Sequence, residues 1–443
     1  MLLEFKVKNY KNFIDEMIFS MIPAPKQKGL DYSIMKSKIA KNEYKGLSSS
    51  VIYGPNAAGK TNIIGAMDVM KSIVLRGNIR NADDKTTPNF AAVALELIPN
   101  SYIQKGEPLE LSIKFIDNGL VIQYDLKIDL GMFLEVRYSR RIITEALYIN
   151  ENLIFNRGDE LDFGDFDTIK DYLINKFEEN RNSVISIARE NLNDEELFLM
   201  SGFKAMFSSK LVALISNWFE NKFMVIYRAD SILLTKKFAD PKDQTIYIEE
   251  TVNDAAKIFG INSNDLGYVV SEDDSEPKLC SVFRNASENK KAAIVNAEVF
   301  ESYGTVRFVN IFPIVLKALL NGGVLVIDEF DASIHPMAIM SIINAFHNDD
   351  INKNHAQLIF NTHNPIFLNS NLFRRDEIKF VERDGETGNS IQYSLADFGT
   401  SGERGVRLHE DYMNNYFISR YGAIKNIDFS LVFENLMNGE NEV

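Results

Sequence analysis

An α/β fold is predicted for this chain of 443 residues: a mixed and parallel sheet, an antiparallel β subdomain and an inserted helical subdomain. Three patterns predict it. A strand, a glycine-rich loop and a helix follow one another without a break over residues 49–75. Two short runs of β-forming residues, Val324-Leu325-Val326-Ile327 and Gln357-Leu358-Ile359-Phe360, are almost wholly apolar, as strands covered on both faces of a parallel sheet are. Alternating strand patterns then fill residues 109–138, between glycine and Asn-Gly turn signals.

Taken in order, residues 1–8 alternate like a strand and lack the long apolar segment of a secretion signal. Ser49-Ser50-Val51-Ile52-Tyr53 reads as a buried strand. The helix after the loop, 61–75, places Ile63, Ile64, Met67, Met70, Ile73 and Val74 at helical spacing. Residues 109–116, 120–128 and 134–138 read as an antiparallel sheet. From 165 to 223 the spacing turns helical, with Ile169, Leu173, Phe177, Leu211, Leu214, Ile215 and Trp218 in register. Residues 337–346 form the expected crossover helix between the two apolar strands. Residues 377–394 read as a hairpin about Asp384-Gly385, followed by loop to Glu410. The expected division is 1–160 for a first lobe with its antiparallel sheet, 161–290 for the helical insertion and connections, and 291–443 for a second lobe. There is no internal repeat and no heptad run long enough for a coiled coil.

Composition narrows the function. Lys and Arg number 48 against 62 Asp and Glu, a net charge of −14, so the surface as a whole repels a phosphate backbone. Small basic clusters, Lys36, Lys38, Lys41 and Lys45, and Arg137, Arg140 and Arg141, keep DNA or RNA contact as a minority option. The single cysteine, Cys280, excludes an internal disulfide and a cysteine-based zinc site, and fits a reducing cytoplasmic setting. No run reaches 18 apolar residues, so no transmembrane helix is predicted.

The chemistry is concentrated in two places. Gly54-Pro55-Asn56-Ala57-Ala58-Gly59-Lys60-Thr61 matches G-x-x-x-x-G-K-[ST], with a strand before and a helix after. Such a loop turns successive backbone N–H groups inward to cradle phosphate, Lys60 adds a point charge, and the Thr61 hydroxyl is a ligand for Mg²⁺. Asp328 and Glu329 end the first of these apolar strands, where ligands collect in α/β sheets. Asp328 is expected to hold Mg²⁺ through its water shell. Glu329 is expected to orient or deprotonate a water that attacks a phosphoryl group.

Together these motifs resemble the ABC-type ATPases related to RecF and the structural-maintenance proteins, and more closely the AAA15/AAA21 type of bacterial abortive-infection and phage-defence systems. Asn56 and Asn62 look like the G-x-N-x-x-G-K-[ST]-N loop of that group. Asp328-Glu329-Phe330-Asp331-Ala332-Ser333-Ile334-His335-Pro336 looks like its Walker B segment and D-loop. Asn361-Thr362-His363-Asn364-Pro365 looks like its switch segment, in which His363 would contact the γ-phosphate. Ser302-Tyr303-Gly304-Thr305 looks like a shortened signature, though the same residues also read as an ordinary helix cap. The tail, with Leu372-Phe373-Arg374-Arg375-Asp376-Glu377 and Ser419-Arg420-Tyr421-Gly422, looks like the ends of RloA-like and AriA-like defence ATPases. No Q-loop glutamine is located; residues 90–97 are the candidate region.

The resemblance implies an ABC-type ATPase head that binds ATP and Mg²⁺ through Gly54, Asn56, Ala57, Ala58, Gly59, Lys60, Thr61 and Asn62, with Asp328 on the metal and Glu329 and His363 in catalysis. Ser302, Gly304 and Thr305 of one subunit would close over ATP held by another, so the expected partner is a second copy, in a dimer or a higher assembly. Eighty residues follow His363, fewer than a nuclease domain needs. A separate effector is therefore expected, such as a Toprim-type or other nuclease, with no membrane involved. The alternatives are a RecF-like ATPase acting directly on DNA in repair or chromosome maintenance, and a non-hydrolysing ATP-dependent scaffold.

Overall fold

The computed structural model describes residues 1–25, 27, 29–80, 96–102, 107–133, 135, 138–175, 177–227, 246–269, 277–284, 292–401 and 405–437. Two large sheets organise them. The first has seven antiparallel strands in the order Leu161–Phe163, Asn152–Arg157, Arg141–Ile149, Leu120–Asp129, Leu109–Asp117, Leu2–Lys8, Met17–Ser20. Its central hairpin turns on Asn118-Gly119, both at positive φ, the geometry that a two-residue turn needs to match the strand twist. The expected strand at 134–138 falls largely outside the described residues, and the next described strand starts at Arg141.

The second sheet has six strands in the order Phe223–Ile226, Val324–Ile327, Gln357–Asn361, Ser49–Tyr53, Ile378–Arg383, Ser390–Ser394. The first five run parallel and the last is antiparallel to its neighbour. Both apolar runs are thus interior strands, every residue of them buried, with the loop strand directly beside Gln357–Asn361. Helix Pro336–His347 provides the crossover between Val324–Ile327 and Gln357–Asn361. Gln357 locks the two sheets together: its side-chain oxygen accepts from Leu2 N (2.5 Å), and its amide donates to Leu2 O (3.1 Å) and Leu47 O (2.8 Å).

Residues 167–172, 177–190, 199–206 and 209–222 are helical turns and short helices, packed on the first sheet through an aromatic cluster in which Phe163 stacks on Phe207 at 4.8 Å and Phe203 on Phe207 at 5.3 Å. Two features depart from the expectation of helix and connections up to residue 290. Phe223–Ile226 is a strand of the parallel sheet. It follows the helical residues Trp218 and Phe219 with no glycine or proline between, so apolar spacing alone could not separate it from the helix. Farther on, Ile246–Tyr247, Asp265–Val269, Lys278–Arg284 and Ala292–Asn296 form a four-stranded antiparallel sheet beside helix Glu250–Phe259. Its strands are short, and polar residues interrupt their alternation.

Helix Tyr303–Asn321 is long and apolar enough to cross a membrane by length and composition. It lies instead against the parallel sheet, burying Phe308, Val309, Ile311 and Val315 in the core shared with Leu325, Ile327 and Phe360.

Candidate nucleotide site

The glycine-rich loop leaves the buried strand Ser49–Tyr53 and enters helix Lys60–Arg76, which buries the apolar face of Ile63, Ile64, Met67, Met70, Ile73 and Val74. Gly59 supplies the turn into the helix at φ 116°, a value that costs a side chain dearly, and Ala57 also takes a positive φ of 63°. Asn56 and Ala57 form the exposed tip of the loop, while Ala58, Gly59 and Lys60 are buried. The Lys60 ammonium donates to Gly54 O (2.8 Å) and Pro55 O (3.1 Å), folding back across the loop. Burial pushes its pKa down to about 8, opposed by the carboxylates of Asp328 and Glu329.

A brace that carries no motif holds the loop from behind. Asn12, in the turn after the first strand, donates to Ala58 O (2.9 Å) and Ser390 Oγ (2.6 Å), and Ser390 Oγ donates to Ala58 O (2.7 Å). Asn62 turns its side-chain amide to Asn12 Oδ1 (2.6 Å), so its side chain serves this brace, and its backbone is what lies at the loop.

The acidic pair meets the loop from the end of Val324–Ile327, one strand beyond Gln357–Asn361. Thr61 Oγ1 donates to Asp328 Oδ1 at 3.0 Å. Asn361, fully buried at the end of its own strand, donates to the same Asp328 oxygen (2.5 Å) and accepts from Glu329 N (2.5 Å). One side chain therefore orients both acidic residues. Glu329 sits at φ 49°, its carbonyl accepts from the Arg307 guanidinium at 2.8 Å, and its side chain is exposed. Asp331 lies deeper, where burial raises its pKa against a bond from Thr362 and the charge of Arg307.

His363 follows on the same strand end, with an exposed edge. Desolvation by its neighbours and then the Lys60 ammonium lower its pKa, with Asp328 opposing. These surroundings favour the neutral imidazole. Loop, acidic pair and His363 are thus brought together at one end of the parallel sheet. The opposite end carries a buried polar cluster in which Ser49 Oγ and Glu377 Oε1 both meet His347 Nε2, at 2.7 and 3.2 Å. Ser49 Oγ also donates to Glu377 Oε1 at 3.0 Å, so the three groups close on one another on the side of the sheet away from the loop.

Residues 49–369 match the AAA_21 family, described as "AAA domain, putative AbiEii toxin, Type IV TA system". The chain belongs to this family. None of the curated proteins matches it. Among solved structures, the "SMC head domain from Thermotoga maritima" aligns at 12% identity over 89% of this chain and 98% of that one, with a TM-score of 0.34. The "SmcHead bound to the C-winged helix domain of ScpA" aligns at 12% identity over 89% and 97%, with a TM-score of 0.36. As an AAA_21 member the chain is a P-loop ATPase by family, and its phosphate loop, acidic pair and switch-segment strand all fall within the matched residues.

The Ser302 turn lies on a different element. Ser302 caps helix Tyr303–Asn321 by accepting from Thr305 N (3.1 Å) and stays exposed. Thr305 is buried, with its hydroxyl engaged to Ser302 Oγ (2.8 Å) and Gly260 O (3.3 Å). Gly304 packs against the Ser333 carbonyl so closely that a Cβ there would collide with it. Sequence reasoning missed Asn12, Ser390, Arg307 and Asn361 as site residues. Of these only Asn361 had a visible signal, standing two positions before His363.

Proposed function

We propose that the chain is an ATP-hydrolysing switch that closes as a dimer, or as an assembly of dimers, around ATP, and that it is the sensor or regulatory component of a cytoplasmic bacterial anti-phage system controlling a separate effector. The observation that carries the ATPase reading is the junction of Thr61, Asp328 and Asn361, with Glu329 next in the chain. Lys60 is held within reach of the loop and exchanges its two carbonyl partners for phosphate oxygens when a triphosphate enters. Thr61 and Asp328 offer the hard oxygen donors that fit Mg²⁺, which when bound neutralises charge on the transferring phosphoryl group. Glu329, its backbone fixed from both sides by Asn361 and Arg307, orients the attacking water and accepts its proton. His363 hydrogen-bonds near the γ-phosphate and loses that partner after cleavage.

Each chain has one phosphate loop and one Ser302 turn on different elements, which supports a site completed by a second copy. The family's description as a toxin of a type IV toxin–antitoxin system supports a role in growth arrest or defence. A nuclease, of Toprim or other type, is the effector this reading favours.

The test is turnover and association in wild type and Glu329→Gln. Wild type should hydrolyse ATP, whereas Glu329→Gln should lose about 100-fold or more in turnover, still bind ATP and accumulate as the ATP-bound dimer. Equal turnover in the two proteins would remove Glu329 from the mechanism, and ATP-independent mass in solution would remove the switch.

A further inference from the structure

Helix Tyr303–Asn321 is apolar along most of its length, yet one turn from its start it buries a guanidinium, Arg307, which is 7% exposed. A buried cation is costly unless it is bonded, and an apolar residue in its place would pack without that cost. Arg307 Nη2 donates to Glu329 O at 2.8 Å, and Arg307 also lies close enough to Asp331 for its charge to act on that carboxyl. Three residues earlier, on the same face of the helix, Gly304 rests on the carbonyl of Ser333. The first turn of this helix is therefore fastened at two points to the loop that carries the acidic residues. Glu329 and Ser333 both hold positive φ there, at 49° and 62°, conformations that need outside support in residues other than glycine.

We propose that Arg307 is a positioning residue that couples the two half-sites of one chain: it ties the Ser302 turn, which contacts the partner's nucleotide, to the backbone of Glu329, which serves the chain's own nucleotide. This rests on the dimer reading above. Engagement of Ser302 at the partner's ATP moves the helix N-terminus, and the Arg307 bond carries that movement to Glu329. The carboxylate of each chain is thus set by occupancy of the other site, and hydrolysis at the two sites becomes cooperative. Arg307 touches no reacting atom, so it acts on turnover and leaves affinity for ATP alone.

Steady-state hydrolysis against ATP concentration, ATP affinity by titration and melting temperature should be measured for wild type, Arg307→Met and Arg307→Lys. Wild type should show a Hill coefficient above about 1. Arg307→Met should lower kcat by at least about tenfold, abolish the cooperativity and keep ATP affinity within about threefold. Arg307→Lys, which can still donate to the carbonyl, should recover part of both losses, and it decides the matter if Arg307→Met does not fold. A non-cooperative wild type overturns the coupling. So do unchanged kcat in both variants, or a parallel fall of affinity and kcat that lysine does not rescue, since that marks a packing role only. A wild type that neither hydrolyses ATP nor associates with it overturns the underlying reading, an outcome visible before any Arg307 variant is made.

Discussion

Two long helices of this chain begin at glycine-bearing turns, and they begin differently. Helix Lys60–Arg76 starts from Gly59 with no side chain capping it, and its turn is braced from behind by Asn12 and Ser390. Helix Tyr303–Asn321 starts from Ser302, whose hydroxyl already satisfies Thr305 N. An uncapped helix start is an anion site waiting for its ligand, whereas a capped one is complete until something displaces the cap. One chain thus carries two helix starts of different build, the first leaving its N–H groups to the glycine-rich loop and the second satisfying them with its own exposed cap. The composite site proposed above draws on both, one start from each copy.

The largest effect should come from breaking each half in turn. Lys60→Ala should weaken ATP binding by the isolated chain by about 100-fold, because the charge-assisted contacts to phosphate are lost. Ser302→Arg should leave that binding intact and block ATP-driven dimerisation, seen by titration and by mass in solution. If Ser302→Arg dimerises normally, the second half-site lies elsewhere.

A smaller effect is set by pH. Lys60 must be charged to hold phosphate, and its pKa in the free protein is lowered to about 8. Below that value affinity should not depend on Lys60 titration. As pH rises through it, binding must take up a proton, and affinity should fall by up to about tenfold per unit. Titrations between pH 7 and 9.5, in buffers of different ionisation enthalpy, would detect both the fall and the uptake. A flat profile would mean that Lys60 remains charged in the free protein.

The smallest effects compare the supports themselves. Asn12→Ala strips the brace from Ala58 O and Asn62 and should cost about 1–3 kcal/mol of stability. Ser302→Ala removes one exposed helix cap and should cost about 1 kcal/mol. Denaturant unfolding of the two variants would rank them, and a reversed order would mean that the Ser302 turn is the more deeply built of the two.

Much of this was legible in the sequence, because the phosphate loop and the acidic strand are local patterns. Gly54 to Thr61 and Leu325 to Glu329 each carry their chemistry within a few residues, and the buried strands around them announce themselves by composition. The supporting groups were not legible for the converse reason. Asn12 and Ser390 meet Ala58 across 46 and 332 positions of chain, and no spacing rule reaches that far. Arg307 looked like one more polar residue on an apolar helix, and its meaning depends on where Glu329 O lies in space. The side chains of Asn62 and Thr305 are engaged inside the protein, which a motif match does not reveal.

The chain has a single tryptophan. Trp218 is wholly buried, stacked on Phe115 of the antiparallel sheet at 3.7 Å and on Phe223 of the parallel sheet at 5.0 Å. Phe223 opens the strand that runs beside Val324–Ile327, the strand leading to Asp328 and Glu329. The indole is therefore wedged at the seam between the two sheets, at the end of that strand away from the acidic pair. Any shift of one sheet against the other changes its stacking and hence its emission. The protein carries its own optical gauge, readable without a label and without a second tryptophan to confuse the signal.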